Sequence, residues 1–165
     1  MSDAYTVAVL GGGSFGTVIG NIIACNGHTV RLWLRNPARA EEINGHHENS
    51  AYLPGYRLDT QLGATCLLAE AVSDVDIVFV AVPSKSFRDV VRELASLLPE
   101  QTIVISLTKG IEPGGFRLMS EIMRHELPEN PRGVLSCPNL AREIAAGHVA
   151  GSVIASELPS TNTLI

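Results

Sequence analysis

Short apolar runs alternate along this chain with segments whose apolar residues recur every three or four positions. That pattern predicts strands alternating with helices around a mostly parallel sheet. Tyr5 to Leu10 reads as the first strand. Ser14 to Asn26 follows as a helix with Val18, Ile22 and Cys25 on its inner face, closed by Gly27. His28 to Leu34 is a second strand, and Asn36-Pro37 supplies the N-cap and first residue of a helix running to Ile43. Residues 45–63 are polar and interrupted by Pro54 and Gly55, which predicts a long excursion without sheet. A short strand at Thr65-Cys66 and a helical turn from Leu68 to Val72 come next.

The strongest strand is Asp76 to Val82, a run apolar enough to be covered by helices on both faces. Pro83-Ser84 ends it, and Lys85 to Leu98 is a helix that turns Phe87, Val90, Val91 and Leu94 inward. Thr102 to Leu107 is a strand, Phe116 to Leu127 a helix, Gly133 to Leu135 a strand, Leu140 to Ala146 a short helix and Val149 to Ala155 a last strand. The whole predicts a single domain with a doubly wound, mostly parallel α/β sheet.

Composition narrows what such a domain binds. The chain has 165 residues, 45% hydrophobic and 18% charged, a globular balance sufficient for one core. With a net charge of −5, no basic face for nucleic acid or an anionic membrane is expected. An anionic ligand would have to be held locally, by helix N-termini and a few placed Lys or Arg. Met1 to Tyr5 lacks the basic and apolar regions of a signal peptide, and no apolar run is long enough to span a bilayer. Three unevenly spaced cysteines predict neither a disulfide framework nor a zinc site and suit a reducing cytoplasm, with Cys25 and Cys66 as small core residues. His46-His47-Glu48 reads as surface loop rather than metal site, because adjacent histidines rarely converge on one ion.

Gly11-Gly12-Gly13-Ser14-Phe15-Gly16 carries the chemistry. It follows a strand and opens a helix, the setting in which G-x-G-x-x-G binds a dinucleotide in a Rossmann domain. Gly11 permits the tight turn, Gly13 lets the backbone approach a pyrophosphate, and Gly16 lets helix and strand pack closely. Free N–H groups at the helix start then face the phosphates. An acid about 20 residues further on would bind the ribose hydroxyls of NAD. The second strand instead ends Leu34-Arg35-Asn36. The guanidinium of Arg35 suits a 2′-phosphate, so NADP(H) is expected to be preferred, with NAD(H) also accepted. The alternative is a solvated Arg35 stacking on adenine and no preference.

Six segments in order resemble bacterial NAD(P)-dependent sn-glycerol-3-phosphate dehydrogenases over nearly the whole chain. They are Gly11 to Thr17, Trp33 to Asn36, His47 to Pro54, Val80 to Ser84, Ser106 to Glu112 and Ser136 to Glu143. Thr-Lys-Gly-Ile-Glu and Ser-x-Pro-Asn-x-Ala-Arg-Glu are the most specific of them. The resemblance implies reversible hydride transfer between NAD(P)H and dihydroxyacetone phosphate, giving sn-glycerol 3-phosphate for phospholipid synthesis. It implies nucleotide contacts from Ser14, Phe15, Arg35 and Ala141. It assigns Lys109 to both nicotinamide and substrate, and Cys137 and Asn139 to the substrate. Pro83 would lie beside the nicotinamide, Ser84 serving either there or as a cap for the next helix; Asn139 alternatively caps the helix at Leu140. Family members are often dimers, so a cytoplasmic homodimer of the full-length enzyme is a further expectation.

Position agrees with the role of Lys109. It follows the strand Thr102 to Leu107, at the strand ends where open α/β sheets hold ligands. Its ammonium would stabilise an alkoxide developing during hydride transfer, whereas position alone equally allows a solvated lysine. Two departures from the family stand out. Cys137 occupies a usual glycine position, narrowing the space beside the substrate. The family also has a C-terminal helical domain carrying the proton-accepting lysine and the phosphate grip. Residues 1–158 are therefore expected to form the cofactor domain and 159–165 the start of a linker, with nucleotide binding but little turnover in isolation. A related β-hydroxyacid or sugar-nucleotide dehydrogenase, or a nucleotide-sensing module without catalysis, are the alternatives.

Overall fold

A computed structural model describes residues 4–136, 140–149, 151–157 and 159. Seven strands form one sheet: β1 (Thr6–Leu10), β2 (Thr29–Trp33), β3 (Leu62–Thr65), β4 (Ile77–Val80), β5 (Ile103–Ser106), β6 (Arg132–Ser136) and β7 (Val153–Ser156). Six helices connect them: α1 (Ser14–Cys25), α2 (Pro37–His46), α3 (Leu68–Ala71), α4 (Ser84–Leu94), α5 (Met119–Glu126) and α6 (Ala141–Ala145). The spatial order is β3-β2-β1-β4-β5-β6-β7. Every pairing from β3 to β6 is parallel, and β7 runs antiparallel to β6. This is the Rossmann-type fold the sequence predicts.

Alternation along the strands divides the core between the two faces of the sheet. Ala8, Leu10, Val78 and Val80 face α4 and α5, whose Phe87, Val91, Leu94, Ile122 and Met123 are all fully buried. Val7, Val9, Ile77 and Phe79 face α1, α2 and α6. Each fully buried Leu, Val or Phe contributes about 1.5–3 kcal/mol of transfer free energy, which is why both faces must be covered. The chain winds outward from β1 to β3, then crosses back to β4 on the other side of β1. A crevice therefore opens at the carboxyl ends of β1 and β4, where the winding direction reverses.

Several local expectations need correction. The inner face of α1 is Gly16, Thr17, Val18, Gly20 and Ala24. Ile22 is 38% exposed and Cys25 is exposed, so neither packs inward as expected. The helix does close at Gly27, whose N–H bonds Ala24 O at 2.9 Å while its φ of +88° is easy only for glycine. Helix α2 has the expected cap, with Asn36 Oδ1 accepting from Arg39 N at 3.3 Å, but continues to His46 instead of Ile43. His47 then ends it in the left-handed region, φ +54°. The excursion that follows is not wholly superficial, since Asn49, Leu53 and Leu58 are buried. The third strand begins at Leu62, ahead of the predicted Thr65. Ser84 is the first residue of α4 rather than its cap, and Pro83 occupies the N-cap without a side-chain bond. Phe116 lies outside α5 at φ +52°, 77% exposed.

Candidate functional site

The glycine turn between β1 and α1 is shaped by what stands next to it. Gly11 donates to Trp33 O at 2.9 Å and has φ +127°. A Cβ there would fall 2.4 Å from Ala81 O, at the end of β4. A Cβ on Gly16 would fall 2.0 Å from Gly11 O, so only glycine lets α1 start so close beneath the turn. Gly13 is different: a Cβ on it would meet nothing within 4 Å. It is the N-cap of α1 with extended backbone, and no side chain caps the helix. The start of α1 thus offers its N–H groups and the positive end of its dipole to open space.

That space is a cleft of about 670 Å³. Its floor is the glycine turn. One wall comes from the end of β2 and the start of α2, where Arg35 stands 5.9 Å from the Trp33 ring centre. Arg39 lies 4.6 Å from the ring centre of Tyr52, whose carbonyl accepts from Ser14 Oγ at 2.7 Å. The opposite wall comes from the ends of β4 and β5 with the N-terminus of α4. Thr108 Oγ1 lies 3.2 Å from Val80 O and 2.8 Å from Val82 O, tying the segment after β5 to the end of β4. The Lys109 Nζ stands 5.8 Å from the Phe15 ring centre.

The loop bearing Lys109 is anchored on its far side by ions. Glu112 forms a two-point ion pair with Arg88 of α4, with Arg88 Nη2 to Glu112 Oε2 at 3.0 Å. Arg88 also donates to Glu126 of α5 at 2.5 Å, and Arg92 donates to both oxygens of Glu126 at 3.2 and 3.1 Å. The hydrogen bond from Arg88 holds the Glu112 carboxyl below the usual range. Those from Arg92 and then Arg88 bring Glu126 down to about 2, against the opposing effect of desolvation.

Gly11, Gly13, Ser14, Phe15, Arg35, Pro83, Lys109 and Ala141 all line this cleft. Gly16 lies beneath it, packed on the Gly11 carbonyl. Cys137 and Asn139 lie outside the described residues, and α6 begins at Ala141 with Leu140 as its N-cap. Sequence reasoning missed Lys85 and Tyr52 in the walls and Asn49 beneath the turn. Lys85 had a signal, a cation in the first turn of the helix that follows the strongest strand. Asn49 had no signal in periodicity, since one buried Asn in a polar segment breaks none; only its place in the His47 to Pro54 segment of the resemblance pointed to it.

The residues present fit a dinucleotide: an uncapped helix start, an open position above Gly13, and two arginines, Arg35 and Arg39, in one wall of the cleft. Topology and cleft together define a nucleotide-binding α/β domain of the Rossmann type. Within that class, the description "NAD-dependent glycerol-3-phosphate dehydrogenase N-terminus" matches residues 6–162, and the chain belongs to this family. It is 55% identical over 157 residues to the glycerol-3-phosphate dehydrogenase (NAD(P)+) of Saccharophagus degradans, covering 95% of this chain and 44% of that protein. The Teredinibacter turnerae enzyme of the same name is 53% identical over 157 residues, with 95% and 46% covered. The crystal structure of glycerol-3-phosphate dehydrogenase from Coxiella burnetii superposes with a TM-score of 0.91 at 32% identity, over 97% of this chain and 49% of that one. The chain thus spans under half the length of these relatives. No helix among the described residues is long and apolar enough to cross a membrane.

Proposed function

We propose that this chain is the cofactor-holding half of a glycerol-3-phosphate dehydrogenase that prefers NADP(H) and accepts NAD(H). The observation that carries the proposal is the meeting of the open, uncapped glycine turn and Lys109 in one cleft. When bound, the nicotinamide cofactor supplies the hydride exchanged with dihydroxyacetone phosphate to give sn-glycerol 3-phosphate.

Gly11, Gly13 and the first turn of α1, with Ser14 and Phe15, would hold the diphosphate by backbone N–H groups and dipole, Gly16 serving the site by letting α1 pack close beneath the turn. Arg35, assisted by Arg39, would pair with the 2′-phosphate, which accounts for the preference. Pro83 would lie beside the nicotinamide, and Ala141 would contact the cofactor. Lys109 would hydrogen-bond the substrate oxygen and stabilise charge developing on it. Cys137 and Asn139 would line the substrate. Residues 1–158 would form this cofactor domain, and 159–165 would lead towards a helical half that supplies the proton and grips the substrate phosphate. The full-length enzyme would then be a cytoplasmic homodimer.

Titration of the 165-residue chain with NADPH and NADH, alongside steady-state assay with dihydroxyacetone phosphate, tests the proposal. Saturable binding of both, tighter for NADPH, with little or no turnover is expected. Failure to bind either nucleotide would overturn the cofactor site. Clear turnover by the chain alone would overturn the division into halves.

A further inference from the structure

We propose that Asn49 is a positioning residue that locks the Gly12–Gly13 peptide with its N–H turned towards the diphosphate site. The proposal rests on reading the cleft as that site. Asn49 is 0% exposed and sits in the loop that follows α2. That loop is itself fixed. His47 turns it in the left-handed region, Leu58 N bonds His47 O at 2.7 Å, and Leu53 N bonds Asn49 O at 2.8 Å. Leu53 is buried in the core.

The Asn49 amide spends both hydrogens on the turn. Nδ2 donates to Gly12 O at 3.0 Å and to Thr17 Oγ1 at 2.9 Å. The carbonyl of Gly12 can only accept, so the amide nitrogen must face it and the side-chain orientation is set. A trans peptide is planar, with C=O and N–H pointing opposite ways. Pinning Gly12 O onto Asn49 therefore turns the Gly13 N–H away from Asn49, and Gly13 itself lines the cleft, where a Cβ on it would meet no atom within 4 Å. Glycine flanks this peptide on both sides, so little else opposes its rotation. The remaining atom of the amide, Oδ1, is buried without a hydrogen-bond partner among the described residues. A buried unpaired acceptor is costly, so stability alone does not account for an Asn here. An oriented donor pair does.

The test compares wild type with Asn49→Leu, which keeps the volume and removes the donors, and with Thr17→Val, which leaves the bond to Gly12. NADPH, ADP and adenosine are titrated into the 165-residue chain, and thermal melts establish folding. For Asn49→Leu, affinity for NADPH and ADP is expected to fall by about tenfold or more, equivalent to about 1.4 kcal/mol. Adenosine, which has no phosphate, should bind within about twofold of wild type, as should all three ligands with Thr17→Val. A folded Asn49→Leu chain that keeps its ADP affinity would overturn the proposal. Should that variant not fold, amide NMR of wild type decides. The Gly13 N–H must shift strongly on adding ADP, and the Asn49 side-chain protons must be protected from exchange beforehand. Loss of either pattern rejects the lock. Wild type that binds none of the three would instead reject the cofactor reading itself.

Discussion

The ammonium nitrogen of Lys109 stands 5.8 Å from the centre of the Phe15 ring, so the loop after β5 and the first turn of α1 meet across the mouth of the cleft. Lys109 is exposed on its own wall and is held from behind by the Glu112–Arg88 pair. If Lys109 stabilises charge developing on a substrate oxygen, as proposed, its loss falls on the chemical step rather than on cofactor binding. In a full-length enzyme containing this half, Lys109→Ala should lower kcat by about 10²–10³-fold, the size expected for removing one oxyanion donor. Cofactor affinity, measured by NADPH titration of the 165-residue chain, should stay within about threefold, because uniform binding is not what is lost. Unchanged kcat would remove Lys109 from the chemistry.

Arg35 governs the cofactor choice if the second-strand end receives the 2′-phosphate. It is exposed beside Trp33, so a charge-assisted bond there is worth the lower part of the usual range of about 1.5–3 kcal/mol. Arg35→Ala should weaken NADPH about tenfold and NADH by less than about threefold. Parallel calorimetric titrations read the ratio directly. An unchanged ratio would transfer the selectivity to Arg39 or abolish it.

Strong periodicity made part of this fold legible, and small residues hid the rest. Helix α4 announces itself because Phe87, Val90, Val91 and Leu94 repeat at helical spacing, and all four are buried. Strand β4 does so because its four residues are apolar and all are buried. The inner face of α1 misleads because closeness rather than hydrophobicity selects it. A Cβ on Gly20 would already sit 3.2 Å from Leu62 Cδ1, so the glycines and Thr17 go inward while Ile22 is left half-exposed. The glycine turn and Arg35 were readable as cleft residues from their offsets from strand ends, and Lys109 through the resemblance of its segment, since its position alone equally allowed a solvated lysine. Asn49 and Tyr52 were not, since their approach to the turn is made by a loop whose path depends on tertiary contacts.

Acid should weaken the clamp between α4, α5 and the Lys109 loop. Glu126, held near 2 by bonds from Arg92 and Arg88, has a folded-state pKa below that of an unfolded carboxylate. Its contribution is fully present above the ordinary carboxylate range and is lost as pH falls towards about 2. Glu112 is displaced in the same direction. Glu126→Gln should therefore lower Tm by several degrees at pH 7, and the gap to wild type should close as pH falls through the acid range. Thermal melts of both proteins across that range check the convergence. A gap that stays constant would mean that the carboxylate charge is not what matters.

Two glycines in one turn should lose nucleotide binding to a single methyl group by different routes, one through stability and one without it. A Cβ on Gly11 would lie 2.4 Å from Ala81 O, and the +127° φ is unfavourable for any L side chain. Backbone must move to relieve that contact, so Gly11→Ala should lower Tm substantially and weaken nucleotide binding as a consequence. Gly13 has extended backbone that alanine adopts freely, and its Cβ would enter open space. Gly13→Ala should therefore melt within about a degree or two of wild type, as surface substitutions do. Its methyl would nevertheless stand where a diphosphate must approach the start of α1, so NADPH and ADP affinity should fall about tenfold or more. Melting curves and ADP titrations on the two variants separate the effects. A Gly13→Ala chain that binds ADP normally would show that the open space above Gly13 is not where phosphate sits.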